Sequence, residues 1–179
     1  MRLKKTFTML NDTQMKPLLS TAVPRTERLL NALTLLLLVG QVVLIIGYYA
    51  QLPETIPVHF GLAGKPDRWG GRGQLFIVPG LATFIFVIFW SIRQIPPDYY
   101  NMPTPLTPEN RERQIRNTHE MLAMLACVVM IFMFWSLWDW IRSVSNGELV
   151  RSKIAPLIFI GLSILGTIIY YVRRAYTLK

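Results

Sequence analysis

The chain has 179 residues, of which 52% are hydrophobic and 16% are charged, and its net charge is +9. Its one cysteine excludes an intrachain disulfide bond and a cysteine-based metal cluster. The positive charge does not indicate a nucleic-acid-binding protein, because the basic residues flank long apolar runs. That distribution predicts a protein whose main partner is the lipid bilayer.

Residues 1–28 are polar and basic and contain no apolar core, so they are predicted to form a cytosolic tail. The apolar run that follows is too long for the core of a signal peptide, and no A-x-A cleavage site ends it. We therefore expect an uncleaved signal anchor, with residues 29–179 forming one membrane domain.

Four apolar runs of this domain are predicted to cross the membrane, because about 20 residues at ~1.5 Å each match the ~30 Å hydrocarbon core. The predicted fold class is all-α, an integral membrane bundle of four transmembrane helices with an ordered Pro/Gly-rich outer loop between the first two. The predicted spans are residues 29–49, 75–92, 121–140 and 154–172, with the outer loop at 50–74 and a cytosolic linker and helix at 93–120.

Polar residues in the first span lie on one helical face, at Asn31, Thr34 and Gln41. Contact with a neighbouring helix explains them best, since an amide facing lipid would lack hydrogen-bond partners. A pore-lining stripe is the alternative. No ionisable residue falls well inside a predicted span, which argues against ion or proton coupling.

The basic residues also predict the orientation of the chain in the membrane. With both termini in the cytosol, 13 of the 19 Lys and Arg residues lie on the cytosolic side. The positive-inside rule therefore favours an N-in, C-in protein with the loop at 50–74 outside.

The outer loop has a pattern that a flexible connector would not need. Ile56, Val58 and Phe60 alternate with polar or proline positions, which predicts an extended piece that packs one apolar face against the helix ends. His59 would then point to the opposite side. Residues 65–68 follow as a predicted β-turn with proline in second position.

The connections on either side of the third span also carry local signals. Residues 95–108 contain five prolines and are predicted to be an extended linker. Thr107 and Pro108 then predict a helix N-terminus, with a charged helix continuing into the span. Asn146 and Gly147 predict the turn before the fourth span.

The loop sequence resembles a known family signature, L-P-x-x-I-P-x-H-F-x-x-x-G-x-P-D-x-W-G. The resemblance is to a bacterial membrane family, the domain of unknown function 1648, as found in SdpI-type immunity proteins. It implies an integral protein of the bacterial cytoplasmic membrane and carries no reaction. The matching positions are Leu52, Pro53, Ile56, Pro57, His59, Phe60, Gly64, Pro66, Asp67, Trp69 and Gly70.

Three polar loop residues, Glu54, His59 and Asp67, are the candidates for chemistry. They could converge on a divalent cation, although their spacing matches no metal motif. The simpler interpretation is that His59 and Asp67 hydrogen-bond loop backbone groups. His119 and Glu120 would complete such a site only if the loop re-entered the bundle, because the predicted topology puts them at the other membrane face.

We expect no enzyme activity, no cofactor and no metal site. The resemblance implies an immunity or signalling protein whose outer loop binds a peptide toxin or a partner membrane protein. The alternatives are an oligomeric small transporter or channel subunit and a metal-dependent membrane enzyme. The candidate binding residues in the loop are Glu54, His59, Phe60, Asp67, Arg68 and Trp69.

Overall fold

The computed structural model describes residues 23–61, 65–147 and 154–179. Within them, four helices are long and apolar enough to cross a membrane, which confirms the predicted all-α transmembrane bundle. The second is preceded by a 3-10 turn, Arg72–Phe76. The four helices are α1 Arg25–Tyr49, α2 Ile77–Arg93, α3 Arg111–Asn146 and α4 Ile154–Thr177.

Three helices extend well beyond the predicted spans, among them α4, which continues to Thr177. Helix α1 begins at Arg25, inside the predicted tail, of which residues 1–22 lie outside the described part. Helix α3 has 36 residues and is about 54 Å long at ~1.5 Å per residue. It exceeds the ~30 Å hydrocarbon core, so the predicted charged helix and the third span are one continuous rod.

The start of α3 is fixed by a reciprocal pair of hydrogen bonds between Thr107 and Asn110. The Thr107 N–H donates to Asn110 Oδ1 at 2.9 Å, and the Asn110 N–H donates to Thr107 Oγ1 at 3.3 Å. This is the geometry of a capping box with asparagine in the usual place of glutamate. The Arg111 N–H then donates to the Thr107 carbonyl oxygen, as the predicted N-cap requires.

The other end of α3 is closed by Gly147, which adopts φ +66° and donates its N–H to the Ser143 carbonyl oxygen. A left-handed glycine is a common helix C-terminal signal, because other side chains clash in that conformation. The predicted turn at Asn146 and Gly147 thus begins as a helix cap. Residues 148–153 lie outside the described residues.

Helix α3 is the centre of the bundle and packs against each of the other three helices. The face of α3 that makes these contacts carries small side chains, and Ala123, Ala126 and Cys127 are all buried there. On α1, Thr34 and Gln41 are fully buried, and Gln41 Nε2 donates to Met130 Sδ of α3 at 3.2 Å. The structure therefore supports helix contact, rather than a pore-lining stripe, as the reason for these two polar residues.

Helix α4 packs against α3 through the C-terminal part of α4, where Tyr171 and Ala175 are buried. Two amides of α3 reach its backbone, since Asn117 Nδ2 donates to the Tyr171 carbonyl oxygen at 3.0 Å and Gln114 Nε2 donates to the Ala175 carbonyl oxygen at 2.8 Å. Most of its other apolar side chains are exposed, as expected for a surface that faces lipid.

The linker between α2 and α3 is more structured than the sequence predicts. It contains a 3-10 turn at Pro97–Tyr99, and Thr104 is buried where Gln114 Nε2 donates to its hydroxyl oxygen. Arg111 also makes a bidentate ion pair with Asp98, at 2.7 and 3.1 Å. The extended-linker prediction is therefore only partly correct, because proline content restricts φ but does not reveal the 3-10 turn or the side-chain partners that lie beyond the linker.

Candidate functional site

The outer loop forms an antiparallel hairpin of two strands, β1 Thr55–Phe60 and β2 Pro66–Gly71. The Gly61 N–H donates to the Lys65 carbonyl oxygen at 2.9 Å, and residues 62–64 lie outside the described part. The loop is therefore ordered, as predicted. The predicted β-turn at 65–68 was wrong, because Pro66 already pairs with Phe60 as the first residue of β2.

Gly70 in β2 shows why the hairpin needs a glycine there. A Cβ atom on Gly70 would lie 2.3 Å from Gln74 Nε2 and 3.1 Å from Val58 Cγ1. The first contact could be relieved by moving a flexible side chain, but the second lies in the packed face of β1. Close approach, rather than an unusual φ, accounts for this glycine.

The apolar face of the hairpin is anchored in the helix bundle through Ile56, which is 0% exposed. Val58 packs against the same cluster and is partly buried, whereas Phe60 is only half-buried and lies outside it. The predicted apolar face is thus correct for Ile56 and Val58 but not for Phe60, since the strand pairing is irregular between His59 and Phe60. The buried cluster consists of Ile45, Leu52, Ile56, Leu75, Leu137 and Ile141.

Arg72 holds the base of the hairpin against the end of α1. Its Nη1 donates to the carbonyl oxygens of Tyr49 and Leu52, at 3.1 and 3.0 Å, and its guanidinium lies 4.5 Å from the centre of the Tyr49 ring. Its backbone N–H donates to the Glu54 carbonyl oxygen at 3.0 Å. Sequence reasoning treated Arg72 only as a charge that sets orientation. The sequence feature that could have drawn attention to Arg72 is its position directly after Gly70 and Gly71.

On the opposite face, His59 and Asp67 meet across the two strands. His59 Nδ1 lies 2.5 Å from Asp67 Oδ1, and the two side chains are 58% and 53% exposed. The expected bonds to loop backbone are not what the structure shows, since the two residues pair with each other. Asp67 therefore pairs with His59, rather than with Arg68.

The metal-site hypothesis requires a third ligand, which Glu54 was expected to supply. Among the described residues, no group of three or more His, Cys, Asp or Glu side chains is placed to hold a metal ion. Glu54 is exposed at the base of β1, one residue before the strand begins. The remaining candidates, Arg68 and Trp69, are also exposed, and Trp69 is 60% exposed.

A second polar cluster lies at the other end of the bundle and includes His119, as the topology predicted. Glu27 of α1 and Glu120 of α3 are both buried there. Arg93 Nε lies 2.7 Å from Glu27 Oε1, and Arg174 Nη1 lies 2.5 Å from Glu120 Oε2. These charged residues lie just outside the predicted spans, because the helices are longer than their apolar runs and bury their terminal turns.

Comparison with known proteins finds a family match that covers the hairpin. Residues 36–83 match the model of the domain of unknown function named DUF1648. The hairpin region of this chain is therefore similar to the DUF1648 family. An uncharacterised protein from Archaeoglobus fulgidus is 42% identical over 62 residues, which cover 31% of this chain. The match spans about a third (34%) of that relative's length. No solved structure matches the chain.

The DUF1648 match coincides with the hairpin and its supports. It starts within α1, includes both strands and Arg72, and ends within α2. The residues of α3 that complete the buried cluster, Leu137 and Ile141, lie outside it. In this protein, the matched segment therefore depends on a later helix for its packing.

Proposed function

We propose that this protein is a non-enzymatic membrane protein of the immunity or signalling type. It binds a peptide or protein partner through the exposed face of its hairpin. The observation that carries the proposal is the contrast between the two faces. Ile56 is 0% exposed in the helix bundle, while Trp69 on the neighbouring strand is 60% exposed.

The hairpin is held in place before any partner arrives. Arg72 bonds the end of α1, and Trp140 of α3 donates its indole N–H to the Pro57 carbonyl oxygen. A rigid binding surface loses little conformational entropy on association, so more of the contact energy appears as affinity. This preorganisation supports a recognition role for the exposed side chains.

The exposed residues have the composition of a protein-binding surface. Tryptophan and arginine are enriched among residues that dominate interface energy, and Trp69 and Arg68 are both exposed on β2. The His59–Asp67 pair adds hydrogen-bonding groups on the same hairpin. In the bacterial cytoplasmic membrane with N-in, C-in orientation, this surface would meet a partner outside the cell or within the outer leaflet.

Site-specific photo-crosslinking in native membranes tests the proposal. A photoreactive phenylalanine analogue replaces Trp69 in one variant and Phe159, an exposed residue of α4, in the control. We expect a discrete protein or peptide adduct from position 69 only. The adduct should be lost when His59→Ala/Asp67→Ala is added, while the melting temperature stays unchanged. The same adducts from both positions, or none that depends on the pair, would refute the proposal.

A further inference from the structure

A cavity of about 210 Å³ lies between α1, α2 and α3, at the end of the bundle away from the hairpin. It has room for about seven water molecules at ~30 Å³ each. Its walls are mainly apolar, and each of the three helices contributes at least one polar side chain. The lining residues that matter here are Glu27, Asn31, Phe86, Trp90, Arg93 and His119.

Glu27 is the buried group in this cavity whose hydrogen bonding is incomplete. It is 1% exposed, and its Oε1 faces Arg93 Nε at 2.7 Å in an ion pair whose N–H direction does not meet hydrogen-bond geometry. Its Oε2 has no hydrogen-bond partner among the described residues. Burying a carboxylate oxygen without a hydrogen-bond donor costs free energy, so we expect a group inside the cavity to donate to Glu27 Oε2.

The walls beside Glu27 favour a small organic cation over a metal ion. Phe86 and Trp90 supply aromatic surfaces, which attract cations and pack against the carbon atoms that carry them. No group of three metal-binding side chains exists among the residues that the structure describes. Trp90 is 56% exposed, so this wall reaches the outer surface of the bundle.

We propose that the cavity binds a primary ammonium group, which donates an N–H to Glu27 Oε2 while its alkyl part packs against Phe86 and Trp90. The ethanolamine headgroup of a lipid and a free small amine share this chemistry. The site lies near the first residues of α1 and at the last residue of α2, the depth at which lipid headgroups occur. Arg93 is partly exposed and supplies positive charge for an accompanying phosphate.

The first measurement compares two soluble probes on the purified full chain in detergent. Phosphoethanolamine and phosphocholine carry the same phosphate, but the quaternary ammonium of choline has no N–H to donate. Isothermal titration calorimetry should give saturable binding of phosphoethanolamine, at least about tenfold tighter than phosphocholine, as a hydrogen bond to a charged group predicts.

The second measurement tests the lipid source. Protein from nanodiscs that contain equal amounts of phosphatidylethanolamine and phosphatidylcholine is analysed by native mass spectrometry, and retained phosphatidylethanolamine is expected. Retention with no soluble binding assigns the site to the lipid. Soluble binding with no retention assigns it to a free amine. If neither probe is preferred over its choline counterpart, the proposal is overturned and the cavity holds only water.

Two double variants assign the binding to this cavity. Glu27→Gln/Arg93→Gln removes both charges together, so that no single charge is left buried and unpaired. The matched control, Glu120→Gln/Arg174→Gln, removes the other ion pair, whose residues do not line the cavity. We expect affinity to fall at least about tenfold in the first variant and to stay unchanged in the control.

A single variant covers the case in which the first double variant does not fold. Asn31→Leu places an apolar side chain one helical turn from Glu27 and leaves both ion pairs intact. It should weaken phosphoethanolamine binding as well. Undiminished binding in Asn31→Leu and in whichever double variant folds would reject the assignment to this cavity.

Discussion

Trp140 donates its indole N–H to the Pro57 carbonyl oxygen at 2.7 Å, across 83 positions of the chain. The bond joins α3 to β1. Among the described residues, it is the one direct hydrogen bond between that helix and that strand. Pro57 has no N–H of its own, so its carbonyl is the group that the residue offers to a partner. We therefore expect this contact to fix the distance between the hairpin and α3.

Trp140→Phe keeps an aromatic ring but removes the donor. The loss of one partly buried hydrogen bond should lower the free energy of unfolding by about 1–3 kcal/mol, since the carbonyl is left without its partner. The thermal midpoint in detergent measures the effect. Trp69→Phe is the control, because Trp69 is largely exposed, and it should leave the midpoint unchanged. Equal shifts in the two variants would contradict the role given to Trp140.

Arg72→Lys should loosen the hairpin although the charge is kept. A lysine ammonium cannot reproduce the planar guanidinium that serves two carbonyl oxygens and stacks on Tyr49. Hydrogen–deuterium exchange should become faster in the amides of β1 and β2, while those of α3 stay protected. Arg68→Lys, on an exposed residue of β2, should leave the exchange pattern as it is in the parent protein.

Substitutions along β1 should separate its two faces. Ile56→Ala empties a fully buried position and should lower the free energy of unfolding by about 2–5 kcal/mol. Phe60→Ala should have a smaller effect, because Phe60 is only half-buried. His59→Ala should change stability by less than about 0.5 kcal/mol, as exposed positions usually do. Chemical denaturation in mixed micelles gives the order, and a larger effect of His59→Ala than of Ile56→Ala would reverse the faces.

The Asp98–Arg111 ion pair predicts a small dependence of stability on pH. The hydrogen bond from Arg111 lowers the pKa of Asp98 below its ordinary value, so the pair stabilises the folded protein at pH above the unfolded pKa of ~3.9. This contribution should disappear as the pH falls through the lower, folded pKa. The difference in melting temperature between the parent and Asp98→Asn should therefore be present near neutral pH and shrink in acid. A difference that grows in acid would contradict this sign.

The orientation in the membrane can be measured with an impermeant thiol reagent on intact cells. Cysteine at Gly71 should be labelled and cysteine at Glu112 should not, because the distribution of basic residues predicts an outer hairpin and a cytosolic start of α3. Both positions are exposed, whereas the native Cys127 is buried and should give no background. Labelling of Glu112→Cys alone would invert the topology.

The apolar runs and the alternation of Ile56 and Val58 were sufficient to predict four spans and an ordered extended loop. Both patterns are local, and each forces burial of one face. The contacts made by Arg72 and by Trp140 could not be predicted this way, since each joins residues far apart in the sequence. The start of β2 was predicted to be a turn for the same reason. Pro66 is compatible with a β-turn and with the first residue of a strand, and only its pairing with a distant residue distinguishes the two.

The second polar cluster shows another limit of prediction from sequence. Glu27 was placed in a polar tail because hydropathy counts the apolar residues of a window, not the side chains that a neighbouring helix can offer. Arg93 closes α2 and faces Glu27, and no sequence pattern links two residues that pair through packing alone. Only the three-dimensional arrangement shows that both ends of the bundle carry polar groups.

The two amides that α3 extends to α4 give the last helix a role beyond its small packed area. Without α4, Gln114 and Asn117 would lose acceptors at the Ala175 and Tyr171 carbonyl oxygens. Buried donors left without their acceptors are costly, and the backbone carbonyls of the three remaining helices are already bonded within each helix. A chain truncated at residue 153 should therefore recruit another polar surface or be degraded, rather than persist as a three-helix protein.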